Sequence, residues 1–202
     1  MNADTGPAGN YYDKYNTRNP IARWLMQGFL SSFDRLSGRL PPGAVLEVGC
    51  GEGELSMRLA ARGHQVRGCD VSSDVVEEAR DRADRAGLPI AFWHCDLQDL
   101  TQQEAAPLVV CCEVLEHLHD PHAGVEKLAS LARPWLLVSV PREPLWRVLN
   151  MARGKYLDQW GNTPGHLNHW GRRDFIDLLS HRFDVMEIAS PVPWTMALCK
   201  VK

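Results

Sequence analysis

The stretch that decides the fold is VLEVGCGEGEL, residues 45–55. Its first part is a short apolar run typical of a buried strand, and glycines at 49, 51 and 53 separate it from a helix-period segment over 54–62. Glycine in such a turn adopts positive φ readily and lets a ligand approach the backbone. Because the helix that follows presents unpaired N–H groups and the positive end of its dipole, the stretch predicts an anion-binding turn.

Outward from this stretch, short apolar runs alternate with helix-period segments, which is typical of a parallel sheet covered by helices. The predicted strands are 44–48, 65–69, 90–95, 107–112, 135–140, 183–189 and 194–201. The predicted helices are 19–37, 54–62, 74–86, 122–132 and 172–181, with Asp74 as the N-cap of the third. We therefore predict an α/β core over 40–202, preceded by an N-terminal helical lid segment over 1–39. Residues 142–171 follow no regular period and are interpreted as an inserted cap.

Composition limits the classes of partner and compartment. The 202 residues carry a formal charge of −3, which gives no general attraction to nucleic acid. No apolar run reaches the ~20 residues that span a bilayer, and the polar first residues lack a signal-peptide pattern. Six cysteines without a C-x-x-C spacing predict buried free thiols. We expect a cytoplasmic monomer or homodimer; membrane-surface contact through the short apolar stretch 144–153 is the alternative.

Three acids lie near the glycine turn. Asp70 and Asp96 end the second and third predicted strands, and in an open parallel sheet both meet the turn at one crevice. Asp70 suits ribose hydroxyls and Asp96 an amino group such as that of adenine, although either acid alone can be a helix N-cap. Glu47, inside an apolar strand, is expected to hold the loop N–H groups or to orient a ligand's ammonium. Glu54 stands where a dinucleotide fingerprint requires its third glycine, which disfavours a nicotinamide cofactor.

Four segments together resemble the class I S-adenosylmethionine-dependent methyltransferases. They are VLEVGCGEGEL (45–55), GCDVS (68–72), HCDLQDL (94–100) and CCEVLEHLHDP (111–121). The resemblance covers about residues 40–140 strongly and both ends more weakly. It implies a Rossmann-like, doubly wound, mostly parallel seven-stranded sheet with an antiparallel last strand. It also implies S-adenosylmethionine as the cofactor, with S-adenosylhomocysteine as its product.

The resemblance further implies individual cofactor contacts. Those with the methionyl part are Gly49, Cys50 and Gly51. Those with the nucleoside are Asp70, Val71, Asp96 and Leu97, of which Val71 and Leu97 sandwich the adenine. Those at the methyl-transfer face are Glu113, Val114 and Leu115. Two residues nearer the N-terminus are added from their own chemistry: Tyr15, beside Tyr11 and Tyr12, to contact the sulfonium through its ring, and Arg23 to pair with the carboxylate.

Methyl transfer to a hydroxyl requires a group that removes the acceptor proton, and histidine suits this role because its pKa is near 6.5. The candidates are His117, His166 and His169, with a structural hydrogen bond as the alternative for each. A metal is not predicted, because neither the group His117, His119 and His122 nor the pair His166 and His169 has a further ligand at a familiar zinc spacing.

The cap supplies the evidence on the acceptor. Residues 142–173 hold six Arg or Lys against two acids, together with three tryptophans. The candidate acceptor-binding residues are Arg142, Trp146, Arg147 and Trp170, because arginine grips carboxylate or phosphate with two parallel hydrogen bonds. The sequence therefore predicts methyl transfer to oxygen or nitrogen of an anionic or aromatic small molecule. A nicotinamide-dependent oxidoreductase and a non-catalytic nucleoside-binding module are the alternatives.

Overall fold

A computed structural model of the chain describes residues 19–202. The predicted lid segment 1–39 is therefore described from Asn19 onward, and Tyr11, Tyr12 and Tyr15 lie outside the described residues. Within the described part, no helix combines the length and apolarity that crossing a membrane requires.

Strands and helices alternate along the described chain as the sequence predicts. The strands are β1 (Ala44–Val48), β2 (Gln65–Asp70), β3 (Ala91–His94), β4 (Ala106–Cys112), β5 (Ala132–Pro141), β6 (Phe183–Ala189) and β7 (Trp194–Val201). The α-helices are α1 (Pro20–Ser37), α2 (Glu54–Ala60), α3 (Ser73–Arg85), α4 (Pro121–Leu131), α5 (Leu145–Ala152) and α6 (Arg172–Ser180). Short 3₁₀ turns lie at Leu97–Asp99, Gln102–Glu104, Leu115–His117 and Leu157–Gln159.

The strands form one sheet in the order β3-β2-β1-β4-β5-β7-β6. Strands β1 to β5 pair in parallel, whereas β7 runs antiparallel to both β5 and β6. This confirms the predicted doubly wound, mostly parallel seven-stranded sheet with a reversed last strand. The strand order changes direction between β1 and β4, and ligands of such sheets bind outside the carboxyl ends of the strands at this point.

Neighbouring residues of β1 show how the sheet is buried on both faces. Val45 belongs to the apolar cluster on one face that includes Phe33 of α1, and Leu46 belongs to the cluster on the other face that includes Phe175 of α6. All four side chains are at most 1% exposed, as expected when helices cover both faces of a parallel sheet. Each buried side chain of this size contributes about 1.5–3 kcal/mol relative to an exposed one.

Helix α1 begins where the sequence predicts. Asn19 caps it, because its side-chain oxygen accepts hydrogen bonds from the N–H groups of Ile21 (2.9 Å) and Ala22 (3.2 Å). Pro20 fills the first helical position, where its missing N–H removes no intrahelical bond. The helix packs against β7 and β6.

Two local predictions are wrong. Helix α3 begins at Ser73 with Ser72 as its N-cap, so Asp74 lies inside the first turn, where its charge suits the helix dipole. The cap is not irregular throughout: α5 spans Leu145–Ala152 within it. This helix has only eight residues and lies between Pro144 and Gly154, so its period was hidden by the breakers around it.

The cysteines are free thiols, as predicted, and five of the six are buried. Burial raises the pKa of Cys69 and that of Cys199 to about 12. These thiols therefore stay protonated near neutral pH and pack as small apolar groups.

Candidate functional site

A cavity of about 620 Å³ opens at the carboxyl ends of the parallel strands, where the segments after β1, β2 and β4 meet. Its volume lies within the roughly 300–1,000 Å³ that small-molecule sites usually occupy. Helices α1 and α5 cover the cavity, and the residues that line it recur at the same spacing in both. From α1 the lining residues are Ala22, Leu25, Met26 and Phe29, and from α5 they are Trp146, Leu149 and Asn150, followed by Arg153 at its C-cap. Positions i, i+3, i+4 and i+7 form one face of a helix, so each helix presents one continuous stripe to the cavity.

The glycine turn forms the wall beside β1 and β2. Gly49, Gly51 and Gly53 have φ of +72°, +50° and +79°, which favours glycine at all three positions. The backbone N–H groups of Gly49 and Cys50 both donate to the carbonyl of Cys69, at 2.8 and 2.9 Å. These two hydrogen bonds fix the glycine turn to the carboxyl end of β2.

Neighbouring side chains leave no room for a larger residue at Gly49 or Gly53, whereas the space beside Gly51 is open. A Cβ on Gly49 would overlap the side chain of Val114, and one on Gly53 would lie 2.9 Å from Phe92. Glu54, which replaces the third glycine of a dinucleotide fingerprint, pairs with Arg82 of α3 at 2.8 Å. The glycine turn is therefore packed against Val114 at its start and against Phe92 at its end.

Asp70 connects the turn to the end of β2. Its carboxylate accepts hydrogen bonds from the N–H of Gly51 at 2.9 Å and from the N–H of Ser72 at 3.0 Å. A carboxylate has about four acceptor positions, so two oxygens held in this way still have capacity for a ligand diol. Asp70, Val71 and the turn all line the cavity, so the structure brings these predicted residues together.

Glu47 and Cys50 lie at the inner end of the cavity. Glu47 is 2% exposed, and the Ser56 hydroxyl of α2 donates to its carboxylate. That hydrogen bond offsets part of the cost of burying the charge. Burial, and then the nearby carboxylates of Glu47 and Asp70, raise the pKa of the Cys50 thiol well above its ordinary range. Cys50 is therefore not a thiolate nucleophile.

Glu113 follows β4 in a strained conformation. Its φ of +62° is unusual for a residue other than glycine, and such strain is concentrated at functional sites. Its side chain accepts hydrogen bonds from the Ser139 hydroxyl (3.0 Å) and from the Trp194 indole N–H (2.6 Å). The carboxylate is thus held in a fixed orientation at the cavity wall.

Two of the three predicted histidines meet in the cavity. The rings of His117 and His166 lie with centroids 4.9 Å apart at 83°, and Trp146 stacks on His166 at 5.8 Å. His169 does not line the cavity: it is exposed, and its Nε2 donates to the Asn162 side-chain oxygen at 2.7 Å. The prediction of a catalytic role for His169 is not supported by this position.

Within the cap, buried polar groups join α5 to the later segment that contains Gly161 and Thr163. Asn150 of α5 is 1% exposed, and its amide donates to the Gly161 carbonyl (2.9 Å) and to the Thr163 hydroxyl (3.2 Å). The indole N–H of Trp146 donates to the same hydroxyl at 2.9 Å. These bonds orient the inner face of α5 toward the cavity.

Four further predicted residues lie away from the cavity wall. Arg23 is exposed, because it falls between the stripe positions of α1. Arg142 precedes α5 and Arg147 lies off its stripe, with the Arg147 Nε donating to the Trp160 carbonyl at 2.9 Å. Trp170 packs against Phe175 in the core, at a centroid distance of 6.0 Å. The predicted ligand contacts of these four residues therefore have no support from the structure.

The segments after β3 and β4 also differ in part from expectation. Asp96 caps a 3₁₀ turn, accepting from the Gln98 N–H at 2.8 Å, and is exposed outside the cavity wall. Leu97 and Leu115 are buried in the core, because each begins a 3₁₀ turn whose apolar residue packs under α4. Val114 packs against the glycine turn rather than lining the cavity. The adenine contacts of Asp96 and Leu97 stay predictions.

Several lining residues were missed. From the cap these are Asn150, Lys155, Tyr156 and Thr163, and from the end of the chain Pro193 and Trp194. Once α5 is known to be a helix, the 146, 149, 150, 153 spacing identifies its inner face, but the breakers around so short a helix hide this signal in the sequence. Trp194 has no such signal, because only the antiparallel pairing of β7 with β5 brings it to the site.

Comparisons with known proteins relate this chain to methyltransferases. A family model described as a methyltransferase domain matches residues 45–135. The chain is 32% identical over 148 residues to the ubiquinone biosynthesis O-methyltransferase of Xanthomonas axonopodis pv. citri (strain 306), covering 70% of this chain and 60% of that protein. It is 34% identical over 123 residues to the tRNA 5-carboxymethoxyuridine methyltransferase of Escherichia coli (strain K12), covering 57% and 47%. The chain thus matches between about half and three fifths of the length of these relatives.

Solved structures share the fold over nearly the whole chain. The magnesium protoporphyrin IX methyltransferase from Synechocystis PCC 6803 with bound SAH has a TM-score of 0.72 and 24% identity, covering 93% of this chain and 90% of that one. The PH0226 protein from Pyrococcus horikoshii OT3 has a TM-score of 0.74 and 17% identity, covering 96% and 99%. At these identities the likeness shows a common fold.

Proposed function

Because the chain belongs to the class I S-adenosylmethionine-dependent methyltransferase family, we propose that it transfers a methyl group to a small-molecule acceptor. The acceptor atom is an oxygen, with nitrogen as the second choice, on an anionic or aromatic compound. One observation carries the proposal: the glycine turn, Asp70, Glu113 and the pair His117–His166 all line the same cavity.

The charges of the cavity support S-adenosylmethionine as the cofactor. Six carboxylates line it: Glu47, Glu52, Asp70, Glu78, Glu113 and Glu116. A ligand that carries a sulfonium and an ammonium gains Coulomb energy among these acids. When bound, this cofactor supplies a methyl group that its sulfonium has already activated. The proposed contacts are the turn at Gly49–Gly51 with the methionyl part and Asp70 with the ribose hydroxyls.

The other side of the cavity supports an aromatic or anionic acceptor. The rings of Phe29, Trp146 and Trp194 form a contiguous aromatic wall, with centroid distances of 5.1 and 5.7 Å to Trp194. Arg153 and Lys155 of the cap also line the cavity. Rings of this kind stack on planar ligands, and the two cations suit a carboxylate or phosphate.

The named relatives point to different acceptors, a ubiquinone precursor for one and tRNA for the other. Two observations favour a small molecule for this chain. The net charge of −3 gives no general attraction to RNA. Helix α5 and the segment after it also cover the cavity, which leaves a space of small-ligand size.

The residues of the chain have two tasks in this reaction. They hold the acceptor atom at about 3–3.5 Å from the methyl carbon, which can supply roughly 7–11 kcal/mol of the barrier. They also promote loss of the acceptor proton, for which His117 and His166 are the imidazoles that line the cavity. The new bond joins acceptor oxygen and methyl carbon, while the carbon–sulfur electron pair stays on sulfur.

Calorimetry tests the cofactor part of the proposal. We expect S-adenosylmethionine and S-adenosylhomocysteine to bind the purified protein and NADH to give no heat. Asp70→Ala should weaken both ligands at least about 10-fold, since hydrogen bonds to a charged group contribute about 1.5–3 kcal/mol. The matched control is Asp74→Ala, an exposed acid outside the cavity wall, which should bind like the parent. Binding of NADH alone would favour the oxidoreductase alternative.

A turnover assay tests the transfer itself. The protein is incubated with methyl-labelled S-adenosylmethionine and, in separate reactions, hydroxylated benzoic acids, phenols, aromatic amines or tRNA. We expect label in an aromatic hydroxyl compound and none in tRNA. Tight binding of the cofactor without transfer to any of these acceptors would favour the nucleoside-binding module.

A further inference from the structure

Within residues 19–202, one set of three potential metal ligands comes together, and it lies in the proposed active site. Glu116, His117 and His166 each offer a ligand atom, and these atoms all lie within 4.8 Å of one another. All three residues line the cavity. The sequence did not predict this set, because the His groups it considered lacked a carboxylate and folding brings Glu116 and His166 together across 50 positions.

The backbone holds the two halves of this set in place. The N–H groups of Leu167 and Asn168 donate to the Glu116 carbonyl at 2.8 and 3.0 Å. The Asn168 amide also donates to the Leu118 carbonyl at 2.6 Å. The segment that carries His166 is thereby fixed to the 3₁₀ turn that carries Glu116 and His117, so the ligands are arranged before any ion binds.

His117 also has the hydrogen bond that metal-binding histidines usually have. Its Nδ1 lies 2.9 Å from the carbonyl oxygen of Gly165, and a carbonyl only accepts, so Nδ1 carries the proton. In the neutral ring, the lone pair then belongs to Nε2. Metal-ligating histidines almost always donate their other N–H to a carbonyl or carboxylate, which fixes the tautomer.

The burial of Glu116 fits the same interpretation. This residue is 1% exposed although it lines a cavity. A buried carboxylate is costly in a medium of low dielectric constant, and a divalent cation next to it reduces that cost.

We propose that Glu116, His117 and His166 bind a divalent transition-metal ion whose remaining coordination positions face the cavity. Two imidazoles and one carboxylate suit Zn²⁺, Co²⁺ or Mn²⁺, whereas Mg²⁺ prefers oxygen ligands alone. Three protein ligands leave positions open, as in catalytic rather than structural zinc sites. Ligand atoms around a tetrahedral ion lie about 3.4 Å apart at bond lengths of ~2.1 Å, so binding draws this set slightly inward.

The role of the ion follows from its place and rests on the proposed function. An acceptor hydroxyl on an open position has its pKa lowered by the ion, and its proton passes to solvent. The resulting oxygen anion is the nucleophile that attacks the methyl carbon. His117 and His166 then act as ligands rather than as general bases, and chelation of the ion should stop turnover.

Metal titration of the whole chain tests the site without any methyl transfer. Protein treated with a chelator and dialysed is titrated with Co²⁺, whose visible spectrum reports its coordination, and separately with Zn²⁺ and Mg²⁺ by calorimetry. We expect one equivalent of Co²⁺ or Zn²⁺ to bind, and Mg²⁺ to bind far more weakly. His117→Ala and His166→Ala should each weaken Zn²⁺ at least about 100-fold, since even the loss of an outer partner costs 10–100-fold.

Controls separate this inference from the proposed function. His119→Ala changes an exposed histidine two positions away and should bind Zn²⁺ like the parent. Circular dichroism checks that each variant is folded, and Glu116→Gln gives a variant of nearly the same shape. Absence of stoichiometric Zn²⁺ binding, or equal Zn²⁺ affinity in parent and His166→Ala, overturns the metal site. S-adenosylhomocysteine is titrated into the same preparations, so a protein that binds it but not Zn²⁺ loses only the metal inference.

Discussion

The indole N–H of Trp194 donates to the carboxylate of Glu113 at 2.6 Å, which joins the first residue of the last strand to the strained residue after β4. The Trp194 ring also packs against Phe29 and Trp146. One side chain therefore supports both the aromatic wall and the orientation of a carboxylate at the proposed methyl-transfer face.

Trp194→Phe separates these two roles. Phenylalanine keeps an aromatic ring but cannot donate to Glu113, so we expect kcat for methyl transfer to fall about 10-fold, within the range for one hydrogen bond to a charged group. Urea unfolding should show a loss of stability too small to account for the lost activity. Trp24→Phe, at a side chain 65% exposed, is the control and should change neither quantity. Unchanged kcat in Trp194→Phe would contradict a positioning role for the indole.

Gly49→Ala tests the packing of the turn. Alanine at φ +72° costs about 1–2 kcal/mol, and its Cβ would also overlap Val114. We expect loss of measurable S-adenosylhomocysteine binding by calorimetry together with a lower free energy of unfolding. Gly87→Ala is the matched control, because Gly87 has φ +66° with no atom within 4 Å of the added Cβ.

Both glycine variants carry the cost of placing alanine at positive φ, but only Gly49→Ala also brings a Cβ into overlap with Val114. Gly87→Ala should lose stability by about 1–2 kcal/mol and bind the ligand normally. If Gly49→Ala binds as tightly as Gly87→Ala, the close contact between the turn and Val114 does not shape the cofactor site.

Asp96→Ser tests the predicted adenine contact, which the cavity wall does not include. Serine can still cap the 3₁₀ turn by accepting from the Gln98 N–H, but it is too short to reach a ligand beyond the turn. We expect the affinity for S-adenosylhomocysteine to fall about 10-fold by calorimetry. The deaminated analogue, in which a carbonyl replaces the adenine amine, should bind parent and variant equally. An undiminished affinity for the adenine ligand would leave Asp96 as a helix cap only.

His64 gives a prediction on pH and stability. The N–H of Gly43 donates to its Nδ1 at 3.3 Å, which requires an unprotonated nitrogen. Burial, and then the positive charge of Arg62, lower the pKa of His64 below its ordinary 6.5. The unfolded chain therefore takes up the proton more readily, so the contribution of His64 to stability is present above pH 6.5 and is lost as the pH falls toward the lower pKa of the folded state.

Replacing His64 by glutamine keeps an acceptor for Gly43 and removes the titration. Urea unfolding above, at and below pH 6.5 should show a smaller loss of stability at acid pH in His64→Gln than in the parent. His119→Gln, at an exposed position, should follow the parent curve. Parallel curves for His64→Gln and the parent would show that this ring does not titrate differently in the folded state.

The fold was predictable because local signals agreed with each other along the chain. The glycine turn, the aspartate at the end of β2 and the alternation of strands and helices each indicate the same sheet. The site was predictable in part, since Asp70 at the end of β2 and Glu113 after β4 both line the cavity. Position along the sequence does not distinguish His166 from His169. Which of the two side chains faces the cavity depends on the hydrogen bonds that join residues 167 and 168 to the Glu116 carbonyl. The same limit applies to Arg147 and Arg153, since α5 decides which of them faces the cavity.

The cap cations therefore give the clearest test of the acceptor site. Arg153, the C-cap of α5, continues the α5 stripe and lines the cavity, whereas Arg147 within the helix donates to the Trp160 carbonyl outside it. With an acceptor that carries a carboxylate, Arg153→Ala should raise the acceptor KM about 10-fold, the loss of one charge-assisted hydrogen bond, and leave the affinity for S-adenosylhomocysteine unchanged. Arg147→Ala should keep the parent KM. A neutral analogue of the same acceptor should show no difference between Arg153→Ala and the parent, because the lost interaction is with the carboxylate. If the two arginine variants raise KM equally, the cap acts through its total charge, and the face of α5 does not select the acceptor.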